Sequence, residues 1–291
     1  MIYHEKLEQV ILYIEEHLLE DIKVESISLH THFSIPHLYR IFRSAVGVPI
    51  AEYIRMRRMS EAAFELMKKS NRIIDVAMKY GYESHEAFTR AFQKNFSVTP
   101  GVYRKNQSGI TLYERFSYKR NQNSYRIPDG LEINIVVRNV IRLAGMEFVT
   151  SVEDALQHAS IIHFEEKEFF PRLSEIKNVV DRSMLYGVER SDGIAEQINH
   201  FSSVEVYDFS CIPIGMSTIE VKPSKYAVFQ YSGNICPEVD AKLKRFIFGH
   251  WILTNDYEWN EDYMIECFKF NSYNDKCESI SIYLPIRNAS T

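Results

Sequence analysis

Apolar residues recur at helical spacing through roughly the first hundred positions and at strand spacing through much of the rest, so the chain reads as two unlike halves. Between Ile2 and Leu19, Leu7, Val10, Ile11, Ile14 and Leu18 form one helical stripe, with Glu5, Glu8, Glu15 and Glu16 outward. Further on, a short helix bearing Ile73, Val76 and Ala77 leads to Gly81, which can turn a tight corner because no Cβ resists a positive φ. Ser84 can cap the next helix through its hydroxyl. There Ala87, Phe88, Ala91 and Phe92 form the buried stripe, and His85, Glu86, Thr89, Arg90 and Gln93 face outward with Lys94 beside them. Residues 24 to 53 repeat the pattern. Ile27 and Ser28 match Val76 and Ala77 at an offset of 49. Past the turn the offset is 50, pairing Ser34 with Ser84, Leu38 with Phe88, Arg40 with Arg90, Phe42 with Phe92 and Tyr53 with Tyr103. His32 stands where the second copy has Gly81, so the first turn closes without glycine.

An amphipathic helix after a tight turn, with polar forks outward, suits a reader of the DNA major groove. A single such hairpin reads equally well as any helical pair; the repetition favours two helix-turn-helix units. In the first reader, Pro36 sits in the opening turn, where a missing N–H does no harm. Leu38, Ile41 and Phe42 point inward, leaving Tyr39, Arg40 and Arg43 for a groove. The intervening helix, from about Ile50 to Lys68, spans ~28 Å at ~1.5 Å per residue. Successive major-groove faces lie ~34 Å apart, so one monomer can set both readers on one asymmetric site and bend it. Arg40 and Arg90 are the leading base-contact candidates, since each can fork onto a guanine; the alternative is a pairing with a neighbouring carboxylate. Lys79, Lys94, Arg104 and Lys105 are candidates for phosphate contacts, which orient without specifying.

From Asn106 to about Asp129 the helical period is lost, and Asn121-Gln122-Asn123-Ser124 and Pro128-Asp129-Gly130 are turn formers. A short strand around Tyr113, Phe116 and Tyr118 fits inside this connection. The expected division is a DNA-binding unit at 1–108, a linker at 109–129 and a second domain at 130–291. That rear part reads as α+β. Strands are predicted at Leu131–Val137, Ile141–Phe148, Ser203–Phe209, Met216–Val221, Tyr226–Tyr231, Tyr263–Phe270 and Ser279–Pro285, with helices at Val152–Phe170 and Pro237–Gly249. This order suggests two strand-helix-strand-strand units side by side, with a groove between them for a ligand.

Alternation puts Met264, Glu266, Phe268 and Phe270 on one strand face. A carboxylate among apolar neighbours is costly unless something compensates it. Either the strand twists Glu266 out to solvent, or an internal arginine pairs with it, or a cationic ligand does. Tyr226, Phe229, Trp251, Tyr257 and Trp259, with Tyr231, are aromatic candidates for a box around such a ligand; each taken alone is a core residue.

Charge adds a bias. The 291-residue chain stands at −5 overall, yet residues 1–107 hold 15 basic and 13 acidic side chains and sum to +2, leaving −7 for the rest. DNA contact limited to one face of the front half fits this better than a basic coat. Hydrophobic and charged shares of 45% and 25% are ordinary for a globular chain. Cys211, Cys236, Cys267 and Cys277 lack C-x-x-C spacing and read as reduced packing residues. His30, His32, His158 and His163 lack flanking metal ligands, and no cofactor, metal or catalytic residue is expected. The absence of an apolar leader or an 18-residue apolar run makes the expectation cytoplasmic, with no membrane span.

Residues 8–105 resemble the DNA-binding domain of the AraC/XylS family of bacterial transcription regulators. The matching positions include Leu38, Arg40, Phe42, Gly47, Tyr53, Arg58, Ala62, Ile73, Ala77, Gly81, Tyr82, Ser84, Phe88, Arg90, Phe92, Pro100 and Tyr103-Arg104. In the Rob and MarA branch, bases are read from positions matching Pro36, Tyr39 and Arg40, and His85, Glu86, Thr89 and Arg90. This chain departs at Ser97, where glycine is usual, and at Pro36 and Glu86, where that branch has an aromatic and a glutamine. Glu86 would accept from a cytosine amino group, so the branch's binding site does not carry over. Residues 130–287 resemble the GyrI-like effector-binding domain, through Leu185-Tyr186-Gly187-Val188, Pro223 to Phe229, Gly233, Trp251, Glu266 and Leu284-Pro285-Ile286. There the position of Glu266 holds the acid that meets cationic ligands in drug-sensing members. Ile252-Leu253-Thr254 replace the proline usual after Trp251.

The two resemblances come in Rob-like order and imply a monomeric regulator of promoter DNA, more often an activator, with RNA polymerase as partner and a small amphipathic effector. Two alternatives stand. Glu266 could serve as the general base of a hydrolase, or the rear domain could bind a protein and no small ligand.

Overall fold

The computed structural model describes residues 3–68, 70–106, 109–121, 125–151, 159–190, 197–260, 263–271 and 276–288. The front is helical: α1 (Tyr3–Glu16), α2 (Val24–Thr31), α3 (Ile35–Val46), α4 (Ile50–Leu66), α5 (Ile73–Lys79), α6 (His85–Phe96) and α7 (Pro100–Asn106). The pairs α2–α3 and α5–α6 are the two predicted hairpins. Their corners close through left-handed residues, His32 at φ 53° and Gly81 at φ 84°. The two reader helices also end in that region, at Gly47 (φ 90°) and Ser97 (φ 61°). Each unit therefore keeps glycine at one site and forces a Cβ-bearing residue into the other, at a cost of about 1–2 kcal/mol.

Beneath the first hairpin, Leu7, Val10, Ile11 and Ile14 of α1 meet Ile27, Leu38, Ile41 and Phe42 in one buried core. The second hairpin closes its own core on the end of α4, through Met59, Ala62, Leu66, Val76, Phe88, Phe92 and Tyr103. Arg57 joins three pieces: Nε donates to Glu15 at 2.8 Å, Nη2 to Glu61 at 2.7 Å and Nη1 to the Tyr113 carbonyl at 2.6 Å.

The connection after α7 forms no strand over residues 109–117, contrary to the expectation of a short one there. Its backbone satisfies itself on side chains of the front half: Tyr113 N donates to Ser60 Oγ, Phe116 N to Tyr53 Oη and Tyr118 N to Glu8 Oε1. A single helical turn, α8 (Tyr118–Asn121), follows.

The rear holds β1 (Leu131–Arg138), β2 (Ile141–Ser151), β3 (Met184–Arg190), β4 (Gln197–Glu205), β5 (Ser217–Val221), β6 (Ser224–Ser232), β7 (Tyr257–Trp259), β8 (Tyr263–Phe270) and β9 (Cys277–Asn288). The helix α9 (Ala159–Phe164) runs on through a wide turn, Glu165–Phe169, and a tight one, Phe170–Glu175. The second, α10 (Pro237–Phe246), continues through Ile247–Trp251 to Thr254. Antiparallel pairing gives the order β1-β6-β9-β8-β3-β4-β2-β5, with β7 on β9. The units β2-α9-β3-β4 and β6-α10-β8-β9 meet at the β3–β8 seam; two such units side by side were expected, but the first contains β3 and β4 where Ser203–Phe209 and Met216–Val221 were predicted. Their outer strands are exchanged: β1 precedes β2 but pairs with β6, and β5 precedes β6 but pairs with β2.

Two expectations need correction. No strand was expected over 184–190, and the one expected at Ser203–Phe209 is instead β4, beginning at Gln197. Buried Asn199, His200, Ser202 and Ser203 hide β4 from an apolar search, and Gly187 breaks the apolar run of the otherwise continuous β3. The helix expected from Val152 falls outside the described residues up to 158. Its expected end at Pro171 is passed, because proline sits where the tight turn opens and its missing N–H is not needed. Cys211, Cys236, Cys267 and Cys277 are all free thiols, Cys267 buried in the sheet.

Candidate DNA-reading faces and ligand cavity

The second reader is open. His85, Glu86, Arg90 and Gln93 are exposed along α6, Thr89 is half-buried, and Phe88 and Phe92 anchor the helix from below. Ser84 caps it, accepting from Ala87 N at 3.1 Å. Hydrogen bonds from its own N–H and from the Ser84 hydroxyl hold the Glu86 carboxyl below the usual carboxylate range. It therefore stays ionised at neutral pH, an acceptor only. Of the candidate phosphate contacts, Lys94 and Lys105 are exposed, Arg104 is half-buried, and Lys79 pairs with Glu65.

The first reader is covered. Pro36 is buried, Tyr39 packs near Ile161 and Ile198 of the rear domain, and Arg43 is half-buried. The His37 ring stacks on Trp259 with centroids 3.8 Å apart. Arg40 is only 4% exposed. Its Nη2 lies 2.5 Å from Glu189 Oε2 on β3, and its guanidinium sits 5.4 Å from the ring centres of Phe248 and Trp259. The pairing alternative is thus realised here, with a carboxylate from the other half of the chain. Backbones touch as well: a Cβ added to Gly249 would lie 2.5 Å from the Ser44 carbonyl oxygen.

Arg40 is the end of a buried run of charge. Lys244 of α10 places Nζ 3.8 Å from Glu189 Oε1, 3.3 Å from Asp240 Oδ2 and 2.5 Å from Glu266 Oε1. Burial alone would push the Lys244 ammonium down; Asp240, Glu266 and Glu189 outweigh it and hold the group well above the ordinary lysine range. Two cations and three carboxylates leave this cluster one negative charge in excess. A lysine, rather than an arginine or solvent, compensates Glu266, which is 1% exposed.

Glu266 also borders a cavity of about 230 Å³ between α9, the start of α10 and the β3–β8 seam. Phe169, Phe170, Phe268 and Phe270 supply its apolar walls, with Glu165, His200 and Asp240 as polar points. Glu165 Oε1 accepts from Ser202 Oγ at 2.8 Å and lies 3.6 Å from His200 Nε2. Larger depressions of about 490 and 510 Å³ lie along the interdomain connection and beside β5, away from Glu266.

Of the seven predicted effector residues, Glu266 alone lines this cavity, and Tyr231 packs against the core shared by the two halves. Tyr226 faces the opposite side of the sheet, its hydroxyl 2.9 Å from that of Tyr263. Phe229, Trp251, Tyr257 and Trp259 join the core that binds the two halves together. Phe229 meets Trp251 edge-on at 4.9 Å, Trp251 stacks on Tyr257 at 6.0 Å, and Trp259 lies against Phe248. The alternation that exposed Glu266 also marked Phe268 and Phe270. His200 and Glu165 carried no such signal, because β4 is polar and the helix around Glu165 is irregular. Among the described residues no cluster of three or more His, Cys, Asp or Glu side chains could hold a metal, and no helix is long and apolar enough to cross a membrane.

Residues 27–106 match the family described as "Helix-turn-helix domain", and residues 134–286 match the family described as "Integron-associated effector binding protein". The chain is 42% identical over 123 residues to the uncharacterized HTH-type transcriptional regulator YbfP of Bacillus subtilis, covering 42% of this chain and 40% of YbfP. It is 35% identical over 103 residues to the HTH-type transcriptional activator AarP of Providencia stuartii, covering 35% of this chain and 76% of AarP. With the transcriptional regulator Rob of Salmonella typhimurium it shares 35% identity over 99 residues, 34% of each chain. The matches to YbfP and Rob thus span well under half of those proteins. The chain belongs to the AraC-type family of helix-turn-helix transcription regulators, and its rear half is a member of the integron-associated, GyrI-like family of effector-binding domains.

Proposed function

We propose that this DNA-binding regulator reads promoter DNA as a monomer through α3 and α6, and that a small amphipathic cation entering the cavity at Glu266 changes its output. Activation is the favoured direction, by analogy with the activator AarP, with RNA polymerase as partner and the cytoplasm as compartment. The carrying observation is Glu266 itself: a carboxylate 1% exposed, set beside four phenylalanines in a partly open cavity. Such a site suits a ligand with a positive centre and an apolar body, through charge neutralisation and cation–π attraction. Hydrolysis with Glu266 as general base is the weaker reading, because its oxygen already receives the Lys244 ammonium at 2.5 Å.

The test is thermal unfolding of the intact protein with benzyltrimethylammonium and with neopentylbenzene, its neutral counterpart of like shape. Saturation at a hundred times the dissociation constant adds ~2.7 kcal/mol. The cation should raise the midpoint more than the hydrocarbon, lose that advantage in Glu266→Gln, and be recovered unchanged. Equal shifts from both compounds would remove the charge argument.

A further inference from the structure

The side chain best placed to read a base in α3 is buried in the effector domain, and the same cluster of charge that buries it lines the effector cavity. Arg40 Nη2 contacts Glu189 at 2.5 Å; Lys244 stands 3.8 Å from the other oxygen of Glu189 and 2.5 Å from Glu266. Two cations therefore bear on Glu189, and two carboxylates besides it bear on Lys244. We infer that the structure is a DNA-excluding state, in which Glu189 occupies the guanidinium of the first reader, and that Lys244 makes a cationic ligand the opener. This deepens the effector reading proposed above and rests on it for the ligand, though not for the latch.

The chemistry runs through exchange of partners. A ligand cation at Glu266 competes with the Lys244 ammonium for that carboxylate. Drawn off Glu266, Lys244 keeps Asp240 at 3.3 Å on its own helix, and the carboxylate left for it to close on is Glu189, at 3.8 Å on the side of the first reader. As Lys244 closes on Glu189, Arg40 loses its share of that charge while still desolvated, which favours release of α3 toward water and phosphate. A neutral ligand leaves Lys244 on Glu266 and the latch shut. Lys244 is thus the residue that sets ligand charge, and Glu189 the residue that reports it to α3.

Gly249 permits the closure. Only a glycine allows the α10 extension to approach the Ser44 carbonyl this closely, since a Cβ would fall at 2.5 Å from its oxygen and 2.8 Å from its carbon. That position touches neither the cavity lining nor a reading side chain, so Gly249→Ala opens the contact by a route independent of charge. Of the two tryptophans of the chain, Trp259, 5% exposed and stacked on His37 of α3, reports the opening directly, and Trp251, 7% exposed, lies in the same core.

The experiment uses the full chain, a 30-base-pair duplex of random sequence, and acrylamide quenching of tryptophan fluorescence. Wild type, Glu189→Gln and Gly249→Ala are titrated with the duplex at several salt concentrations. Both variants should quench more readily and bind the duplex more tightly, within the ~5–150-fold range of allosteric couplings. The salt dependence should also steepen by ~0.9 per added phosphate contact, because a second reader is engaged. Folded variants with wild-type quenching, affinity and salt slope would overturn the latch. Benzyltrimethylammonium should reproduce the effect in wild type and fail in Lys244→Met. A cation that raises the thermal midpoint yet leaves quenching and duplex affinity unchanged would keep the effector site and refute its link to α3. Latch variants that open while no cation shifts the midpoint would keep the latch and refute the effector reading.

Discussion

The two hairpins share a register, a buried stripe and an arginine at the same outward position, yet one is bare and the other sealed. Arg90 stands exposed on α6, whereas Arg40, its counterpart, is buried under two aromatic rings and joined to a carboxylate. Local pattern decides which face of a helix seeks a core. It does not decide what a second domain, folded later in the chain, will place over the other face. In this molecule the same residue type stands exposed in one copy and is a fastener in the other.

Exchanging the two arginines for alanine should break the comparison most sharply. Arg40→Ala leaves Glu189 with half its buried compensation and should destabilise the chain by about 3 kcal/mol, read from denaturant unfolding. Arg90→Ala should leave stability within about 0.5 kcal/mol. In binding the order reverses for the open copy: Arg90→Ala should lose ~1–3 kcal/mol on a selected site and far less on random DNA. Equal losses on both would end its role in reading bases.

The next contrast lies in the glycines. Ser97→Gly should stabilise the second unit and His32→Gly the first, each by about 1 kcal/mol, while Gly47→Ser should cost a similar amount. Thermal unfolding of the three variants measures this. A Ser97→Gly chain no more stable than wild type would mean that the serine hydroxyl recovers what the backbone loses.

Acid should act on the closed copy by a smaller amount. His250 lies in the contact between the halves, its Nδ1 3.0 Å from the Tyr118 hydroxyl, and burial holds its imidazole below the usual histidine range. The unfolded chain then takes up the proton first as pH falls. Its contribution is complete above about pH 6.5 and is lost below. A shallow drop in thermal midpoint from pH 6.5 to 5, reduced in His250→Phe, is expected.

The hairpins are legible in the chain because each inward residue belongs to its own unit. The paired strand-helix-strand-strand order is legible for the same reason: apolar runs such as Tyr226 to Tyr231 and Tyr263 to Phe270 mark themselves. What escapes is whatever depends on distant partners. β4 is hidden because both of its faces are buried and yet carry Asn199, His200, Ser202 and Ser203. Trp251, Tyr257 and Trp259 look like a ligand box; instead Trp259 seats His37 and Arg40 of α3 while Trp251 and Tyr257 stack in the core behind, since an aromatic pattern cannot say which surface comes to rest on it. Glu266 could be singled out from alternation alone. Its lysine could not, because Lys244 is one of many basic residues on a helix and only the fold brings it within 2.5 Å.

The exchanged edge strands carry a consequence for synthesis. Leu131–Arg138 leaves the ribosome before its partner Ser224–Ser232, which follows roughly 90 residues later. At the usual pace of about 5–20 residues per second, β1 waits on the order of 5–20 s with no strand to pair with. Its neighbour in the chain, β2, waits similarly for β5. The half β3-β4-β2-β5 is complete once Val221 has been made, whereas β1 must wait for β6, so a nascent rear domain presents open edges to chaperones, and to other nascent copies, until its final strands arrive.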